Sequence, residues 1–354
     1  MVVKLRLMLI GETRMIDEKK LKKLFMAKTV LITGGTGYLG RHITSEILKY
    51  EPHSIRLLSR DEVKHHNMQE QFGHNIKLRH FVGDVRDYER MEKAAKGADI
   101  VIHAAALKRL DMIEYNVEES VKTNVIGTLN VVRACLANNV EKAVFISTDK
   151  ACSPVNTYGA CKFLAERIFS ESNRNKGACR TIFTVVRYGN VLESTGSVIP
   201  FFELRIKKGE PIMLTDRRMT RFIITPQQAV ELIFKSLIYC KGGEVFVPKL
   251  DSFRITDLIT ILKRKHNSGM EVVICGLRPG EKINEWMLND AEVRRTYSFQ
   301  DMFVITSEIN RVKGAEYAVH GKKLSEDSMD HYSSDQCLLS LDEATKLFKK
   351  LGLI

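Results

Sequence analysis

The chain has 354 residues, 44% of them hydrophobic and 28% charged, with a formal net charge of +12. That balance supports one substantial core, or a nucleotide-binding domain with a smaller lobe, and excludes a disordered or membrane-spanning class. The basic surface suits a phosphorylated ligand at least as well as nucleic acid, since no basic run is interleaved with aromatic residues.

The N-terminal stretch Met1–Ile10 is broken by Lys4 and Arg6 and has no apolar signal-peptide region. The apolar run Ile100–Leu107 is too short to span a bilayer. Seven cysteines, an odd number with no Cys-x-x-Cys pair, oppose a disulfide framework and fit a reducing cytoplasm. The ten histidines lack metal-ligand spacing, and the His65-His66 pair, in a polar stretch, reads as solvated surface. No metal is expected.

Residues 1–26 read as an N-terminal extension with a short charged helix over Glu18–Lys23. Val30–Thr33 reads as a buried strand, followed by a glycine turn and an amphipathic helix over Arg41–Lys49. Ile55–Ser59, Leu78–Val82, Ile100–Ala104 and Ala143–Ser147 read as further strands, with helical patterns between them, notably Ser120–Leu136. Repeated βαβ units predict an α/β, Rossmann-like doubly wound parallel sheet, with ligands at one edge of it. The alternation weakens after Arg187, and Gly189–Thr225 mixes glycine, proline and basic residues. We therefore divide the chain into the extension, a dinucleotide-binding domain over 27–188 to which later segments return, and a region over 189–354 that is mainly a substrate-binding lobe.

Gly34-Gly35-Thr36-Gly37-Tyr38-Leu39-Gly40 stands between the first strand and the first helix of the sheet, the context in which such glycines let a backbone approach a pyrophosphate. Ser59-Arg60 ends the second strand, where an acidic residue would hold an unphosphorylated ribose. Arg60 favours NADP over NAD, although Asp61 follows directly, and Lys64 is a further candidate for the cofactor. Asp84 and Val85, after the third strand, are candidates for the adenine. Ala104, Ala105 and Ala106 end the fourth strand with side chains small enough to pass under a dinucleotide.

The fifth strand ends in Ser147-Thr148-Asp149-Lys150, and Tyr158-Gly-Ala-Cys-Lys162 follows eight residues later. Tyr158 and Lys162 share a helix face at i and i+4. A tyrosine beside a lysine ammonium and an oxidised nicotinamide is expected to have a depressed pKa and to take a proton from a sugar hydroxyl. Lys162 is also placed to hold the nicotinamide ribose.

At this point the chain resembles the extended short-chain dehydrogenase/reductases, and within them the inverting UDP-N-acetylglucosamine 4,6-dehydratases. The likeness runs through Gly34-Gly-Thr-Gly, Ser59-Arg-Asp-Glu, Gly83-Asp-Val-Arg-Asp87, His103-Ala-Ala-Ala-Leu-Lys108, Ser147-Thr-Asp-Lys-Ala151 and Arg187-Tyr-Gly-Asn-Val191. It continues through Gly196-Ser-Val-Ile-Pro200, Met219-Thr-Arg-Phe222, Arg278-Pro-Gly-Glu-Lys282 and Tyr332-Ser-Ser-Asp335, and so covers residues 27–350. Thr148-Asp149-Lys150 is the most specific run, because dehydratases of other sugar nucleotides carry Thr-Asp-Glu there.

The resemblance implies that Tyr158 removes the C4 hydroxyl proton while hydride leaves C4, that Lys150 takes the C5 proton, and that Asp149 protonates the departing C6 hydroxyl. Inversion at C5 follows. For this Lys150 must be neutral part of the time, and burial with nearby cations is expected to lower its pKa. The resemblance further implies that Lys108 and Asn124 join the cofactor site. It implies that Lys108, Asn190, Val191, Ser197, Arg221, Arg278 and Glu281 grip a UDP-sugar, and that the chain forms a homo-oligomer, a dimer or hexamer. Glu193 and Thr195 depart from the family pattern and are expected to alter the phosphate contacts. No nucleic-acid or membrane partner is expected. The rival readings are a UDP-sugar C4 or C5 epimerase on the same scaffold and, more remotely, a non-enzymatic NADP-sensing protein. The Asp149-Lys150 pair opposes a plain epimerase, and the retained Tyr158-Lys162 pair opposes the sensor.

Overall fold

The computed structural model describes residues 16–192, 198–307 and 315–354. Six parallel strands, β1 (Thr29–Thr33), β2 (Ser54–Ser59), β3 (Leu78–Val82), β4 (Ile100–His103), β5 (Lys142–Ile146) and β6 (Ile182–Val186), lie in the order β3-β2-β1-β4-β5-β6. This is the doubly wound order, and the expected fold class is borne out. Every residue of β1 is buried, as befits a central strand covered on both faces. Beyond β6 the sheet continues through Val245–Pro248, parallel to β6, and then through the antiparallel strands Met302–Ile305 and Thr296–Phe299.

The helices on the two faces are α2 (Tyr38–Leu48), α3 (Glu62–Gln71), α4 (Tyr88–Ala95), α5 (Leu110–Tyr115), α6 (Val117–Ser120), α7 (Gly127–Ala137) and α8 (Thr157–Glu171), all preceded in sequence by α1 (Glu18–Phe25). A π-helical turn, Val121–Ile126, joins α6 to α7. Asp61 and Asp87 cap α3 and α4 by accepting the Lys64 and Arg90 N–H groups at 3.1 and 3.0 Å; each such cap contributes about 1 kcal/mol.

Two expectations change here. Leu21, Leu24 and Phe25 of α1 are buried, and the Phe25 ring lies 4.7 Å from Phe234. Residues 18–25 therefore belong to the core, their lysines masking an apolar face at i, i+3, i+4. His65 is also buried, because it shares with Met68 the side of α3 that meets the sheet, whereas His66 is exposed.

A second hydrophobic core gathers Ile199, Phe202 and Ile206 from α9 (Val198–Lys208) with Ile212, Leu214, Phe253, Leu258, Leu262 and Phe348. No helix among the described residues is long and apolar enough to cross a membrane.

Candidate active site

The C-terminal ends of β1 and β4 diverge at the point where the strand order reverses, and a cleft of about 440 Å³ opens there. Gly34 begins its glycine-rich wall with φ +69°. A Cβ on it would lie 2.9 Å from the Ala105 nitrogen, so the turn needs glycine and the β4 end needs small residues. Gly37 caps α2 without a side-chain hydrogen bond, which leaves the first N–H groups of that helix facing the cleft. The Thr123 and Ser147 hydroxyls, both lining it, are buried without a partner. An uncapped helix N-terminus and orphaned hydroxyls in one cleft fit a dinucleotide.

Gly34, Thr36, Gly37, Tyr38, Leu39, Gly40, Ser59, Arg60, Lys64, Asp84, Val85, Ala104, Ala106 and Lys108 all line this cleft. Where the cleft meets the end of β2, the Thr36 hydroxyl bonds Ser59 Oγ at 2.7 Å, Ser59 Oγ bonds His65 Nε2 at 3.0 Å, and His65 Nδ1 meets His80 Nδ1 at 3.0 Å. Burial holds both histidines below their ordinary pKa. The Asp61 carboxylate is engaged by the Lys64 N–H and, at 3.0 Å, by the Lys64 ammonium. Arg60 lies 3.7 Å from Asp84.

Asn124 does not line the cleft. Its amide accepts from the Leu107 N–H at 2.8 Å and donates to the Leu107 carbonyl at 3.0 Å, fastening the loop that carries Ala104–Lys108. Thr123, one residue earlier, occupies the lining position.

The same cleft contains Thr148, Lys150, Tyr158 and Lys162, with Asn190 and Val191 at its far end. Asp149 is fully buried on the short turn after β5. Asn156 caps α8 by accepting the Gly159 N–H at 2.7 Å and so sets the start of the helix that presents Tyr158 and Lys162. Lys162 Nζ donates to the Ile146 carbonyl at 2.5 Å and lies 4.0 Å from the Phe145 ring centroid. Burial lowers Lys162 to about 7 and raises Tyr158 to about 12, although the Lys150 ammonium pulls the phenol down. The expected depression of Tyr158 is thus absent in the polypeptide alone, because desolvation, with the Asp149 carboxylate adding to it, outweighs the pull of Lys150.

Lys150 Nζ lies 3.1 Å from Asp149 Oδ1 and 3.1 Å from Glu285 Oε1, with Asn190 Oδ1 at 3.5 Å. Burial works to lower Lys150, but the Asp149 and Glu285 carboxylates outweigh it and raise its pKa, the reverse of the expected direction. Burial raises Asp149, with Glu285 adding to the rise against the pull of Lys150. The Thr148 hydroxyl donates to Asp149 Oδ1 at 2.8 Å.

Glu285 escaped the sequence reading. It lies just past Arg278-Pro-Gly-Glu-Lys282, in a segment with no local sign of chemistry, and only the tertiary fold brings it to Lys150.

Arg221, Arg278 and Glu281 do not line the cleft. The Arg221 guanidinium is buried and donates to the Thr220, Ile283 and Lys282 carbonyls at 2.7, 2.9 and 3.1 Å, stapling the 281–285 segment to the strand Thr220–Ile224. Glu281 turns back to accept the Arg278 N–H at 3.3 Å, while the Arg278 side chain is exposed. Their loop is tied to α8 by the Asn156 amide, which donates to the Gly280 carbonyl at 2.7 Å. Gly280 has φ +73°, and a Cβ there would lie 2.6 Å from Asn156 Cβ. Ser197, Glu193 and Thr195 lie outside the described residues. Tyr332-Ser-Ser-Asp335 supports the same segment: Ser334 Oγ accepts the Glu285 N–H at 2.9 Å, and the Tyr332 hydroxyl donates to the Leu250 carbonyl at 3.0 Å.

Comparison with known proteins gives the chain its family. Residues 30–307 match the family described as polysaccharide biosynthesis protein. A Campylobacter jejuni protein named UDP-N-acetylglucosamine 4,6-dehydratase (inverting) is 39% identical over 92% of this chain and 100% of its own. A Rickettsia rickettsii protein named UDP-glucose 4-epimerase is 35% identical over 94% of this chain and 98% of its own. The X-ray structure of Pen from Bacillus thuringiensis superposes with a TM-score of 0.87 at 37% identity, covering 93% of this chain and 99% of that one. With a doubly wound sheet, a glycine turn at its switch point and relatives matched over nearly their whole length, this chain belongs to the polysaccharide biosynthesis protein family of extended short-chain dehydrogenase/reductases.

Proposed function

We propose that the protein is a C5-inverting UDP-N-acetylglucosamine 4,6-dehydratase, forming a UDP-2-acetamido-4-keto-2,6-dideoxyhexose for glycan biosynthesis. The observation that carries this reading is the Asp149–Lys150 pair, 3.1 Å apart: Lys150 lines the cleft that also holds Tyr158 and the glycine turn, and Asp149 is buried directly behind it. A C4 epimerase needs neither a C5 base nor a C6 acid. The Rickettsia relatives keep the epimerase as the second reading.

When bound, the nicotinamide dinucleotide supplies the reversible oxidation at C4 that acidifies the C5 proton. Gly34–Gly40, Ser59, Arg60, Lys64, Asp84, Val85 and Lys162 would hold it. NADP is favoured over NAD because Arg60 and Lys64 stand at the ribose end, where Asp61 is already engaged. Tyr158 takes the C4 hydroxyl proton, Lys150 takes the C5 proton, and Asp149 protonates the departing C6 hydroxyl. Proton return to C5 on the opposite face inverts that centre. Asn190, Val191 and Lys108 contact the sugar and diphosphate from the cleft, and Arg278, exposed outside the lining, is a further candidate for the nucleotide.

We also assign the chain to the cytoplasm, which suits its seven free thiols, and to a homo-oligomer. The deciding experiment is proton NMR of UDP-N-acetylglucosamine with the NADP-loaded protein in deuterated water. A 4-keto-6-deoxy product, deuterated at C5 and inverted there, is expected. A C4 epimer without loss of water overturns the reading.

A further inference from the structure

We propose that Glu285 completes the Asp149–Lys150 pair as a positioning residue, fixing Lys150 Nζ and stabilising the ammonium formed when Lys150 takes a proton from carbon. This rests on the dehydratase reading and deepens it.

Nζ sits in a fork between two carboxylates, Asp149 Oδ1 and Glu285 Oε1, each at 3.1 Å. Glu285 is 2% exposed, and its place is fixed from several sides. Its backbone N–H donates to Ser334 Oγ and its carbonyl accepts the Ser334 N–H, both at 2.9 Å. Arg221 Nε lies 3.7 Å from Oε1. Arg221 also donates to three carbonyls, so it both holds the segment that carries Glu285 and faces its carboxylate. The remaining oxygens, Glu285 Oε2 and Asp149 Oδ2, are buried with no hydrogen-bond partner. Orphaned carboxylate oxygens are costly, and two around one ammonium mark a cluster built for charge rather than packing.

The proton inventory gives the cluster its use. With every group ionised, Asp149, Glu281 and Glu285 balance Lys150, Arg221 and Lys282. Moving one proton from Lys150 to Asp149 across their contact keeps that balance and creates both groups the elimination needs, a neutral amine and a carboxylic acid. The C5–H bond then breaks with its proton going to Nζ. The electron pair forms the C5–C6 double bond, the C6–O bond breaks, and the oxygen leaves as water with the Asp149 proton. The step ends with an ammonium between two carboxylates and needs no outside proton donor. Glu285 keeps its charge throughout and stabilises the positive charge as it develops.

The test is Glu285→Gln, which keeps the shape and removes the charge, with Glu285→Asp as the charge-retaining control. In the NADP-loaded enzyme, E285Q should lower kcat by about a hundredfold and leave KM within about threefold, with E285D falling between it and the wild type. A second readout needs no turnover: the rate at which an amine-reactive reagent labels Lys150, followed by peptide mass spectrometry. E285Q should speed labelling of Lys150 by about tenfold at fixed pH, because the amine is then neutral more of the time, and should leave Lys162 unchanged. Faster labelling of every buried lysine would signal lost structure; E285D, with the charge retained, then decides the matter by its kcat and its Lys150 labelling. Wild-type turnover with E285Q kcat within about twofold, or unchanged Lys150 labelling, overturns the proposal. A wild type that makes no keto product while E285Q still speeds Lys150 labelling overturns the dehydratase reading and leaves the Glu285–Lys150 coupling standing.

Discussion

Arg60 and Lys64 are the side chains on which the proposed preference for NADP rests. Their ion pairs with Asp84 and Asp61 are solvent-exposed and weak, so a 2′-phosphate can recruit both cations at little cost. A charge-assisted contact to that phosphate is worth about tenfold to a hundredfold in affinity. Calorimetry on Arg60→Ala should therefore show NADP binding weakened by about that factor and NAD binding unchanged. Equal affinities of the wild type for NAD and NADP would refute the preference. A second single-residue prediction concerns stability. Burial, with Glu343 nearby, raises Asp251 from 3.8 to about 6. The folded chain thus keeps a proton that the unfolded chain releases, and stability falls as pH rises through that window and stays lower above it. Asp251→Asn abolishes this dependence. Its melting temperature should exceed that of the wild type at pH near 8, with the difference gone near pH 4.

Between elements, the buried Arg187 at the end of β6 does the joining. It donates to Glu166 of α8 at 3.0 and 2.6 Å, to both carboxylate oxygens of Glu292 at 2.8 Å, and to the Met287 carbonyl at 2.9 Å. Tyr158, Lys162 and Glu166 follow one another at i+4 along α8, so this clamp ties the helix bearing Tyr158 to the segment bearing Glu285. Removing Arg187 strands two buried carboxylates; Arg187→Met should cost about 3–5 kcal/mol in denaturant unfolding, and adding Glu166→Gln and Glu292→Gln should recover most of it. None of this was legible in the chain, and the reason is range. The glycine turn and the Tyr158–Lys162 spacing are local patterns on one element, so they could be read directly, and Asp149-Lys150 drew its meaning from the family likeness. That later segments return to the first domain is expected, but which ones do (245–248 and 296–305), the strand Ile182–Val186 and the inward turn of Arg221 depend on contacts between distant segments. The sign of the Lys150 shift failed for the same cause: the sequence shows the adjacent Asp149 but not Glu285.

At the scale of the whole molecule, one face carries a row of uncovered apolar side chains. Met112, Tyr115, Val117, Val121, Ile126 and Leu129, along α5 to α7, and Phe163 and Leu164 on α8, are each more than a third exposed, and these helices contact one another. Their opposite sides pack inward: α7 buries Val131 and Cys135, and α8 buries Cys161 and Phe169. Scattered apolar residues on a surface need no explanation, but a row of them on adjoining helices is an interface pattern. A second copy of the chain is the simplest occupant, because a two-fold axis lets one self-complementary face cover itself. It would also brace α8 from the side opposite Tyr158. Light scattering should therefore find a dimer or a multiple of one. Val121→Glu combined with Leu164→Glu places like charges on both halves of that face and should yield a monomer that still unfolds cooperatively. A wild type that stays monomeric at high concentration, or a double variant that stays dimeric, removes this face from the assembly.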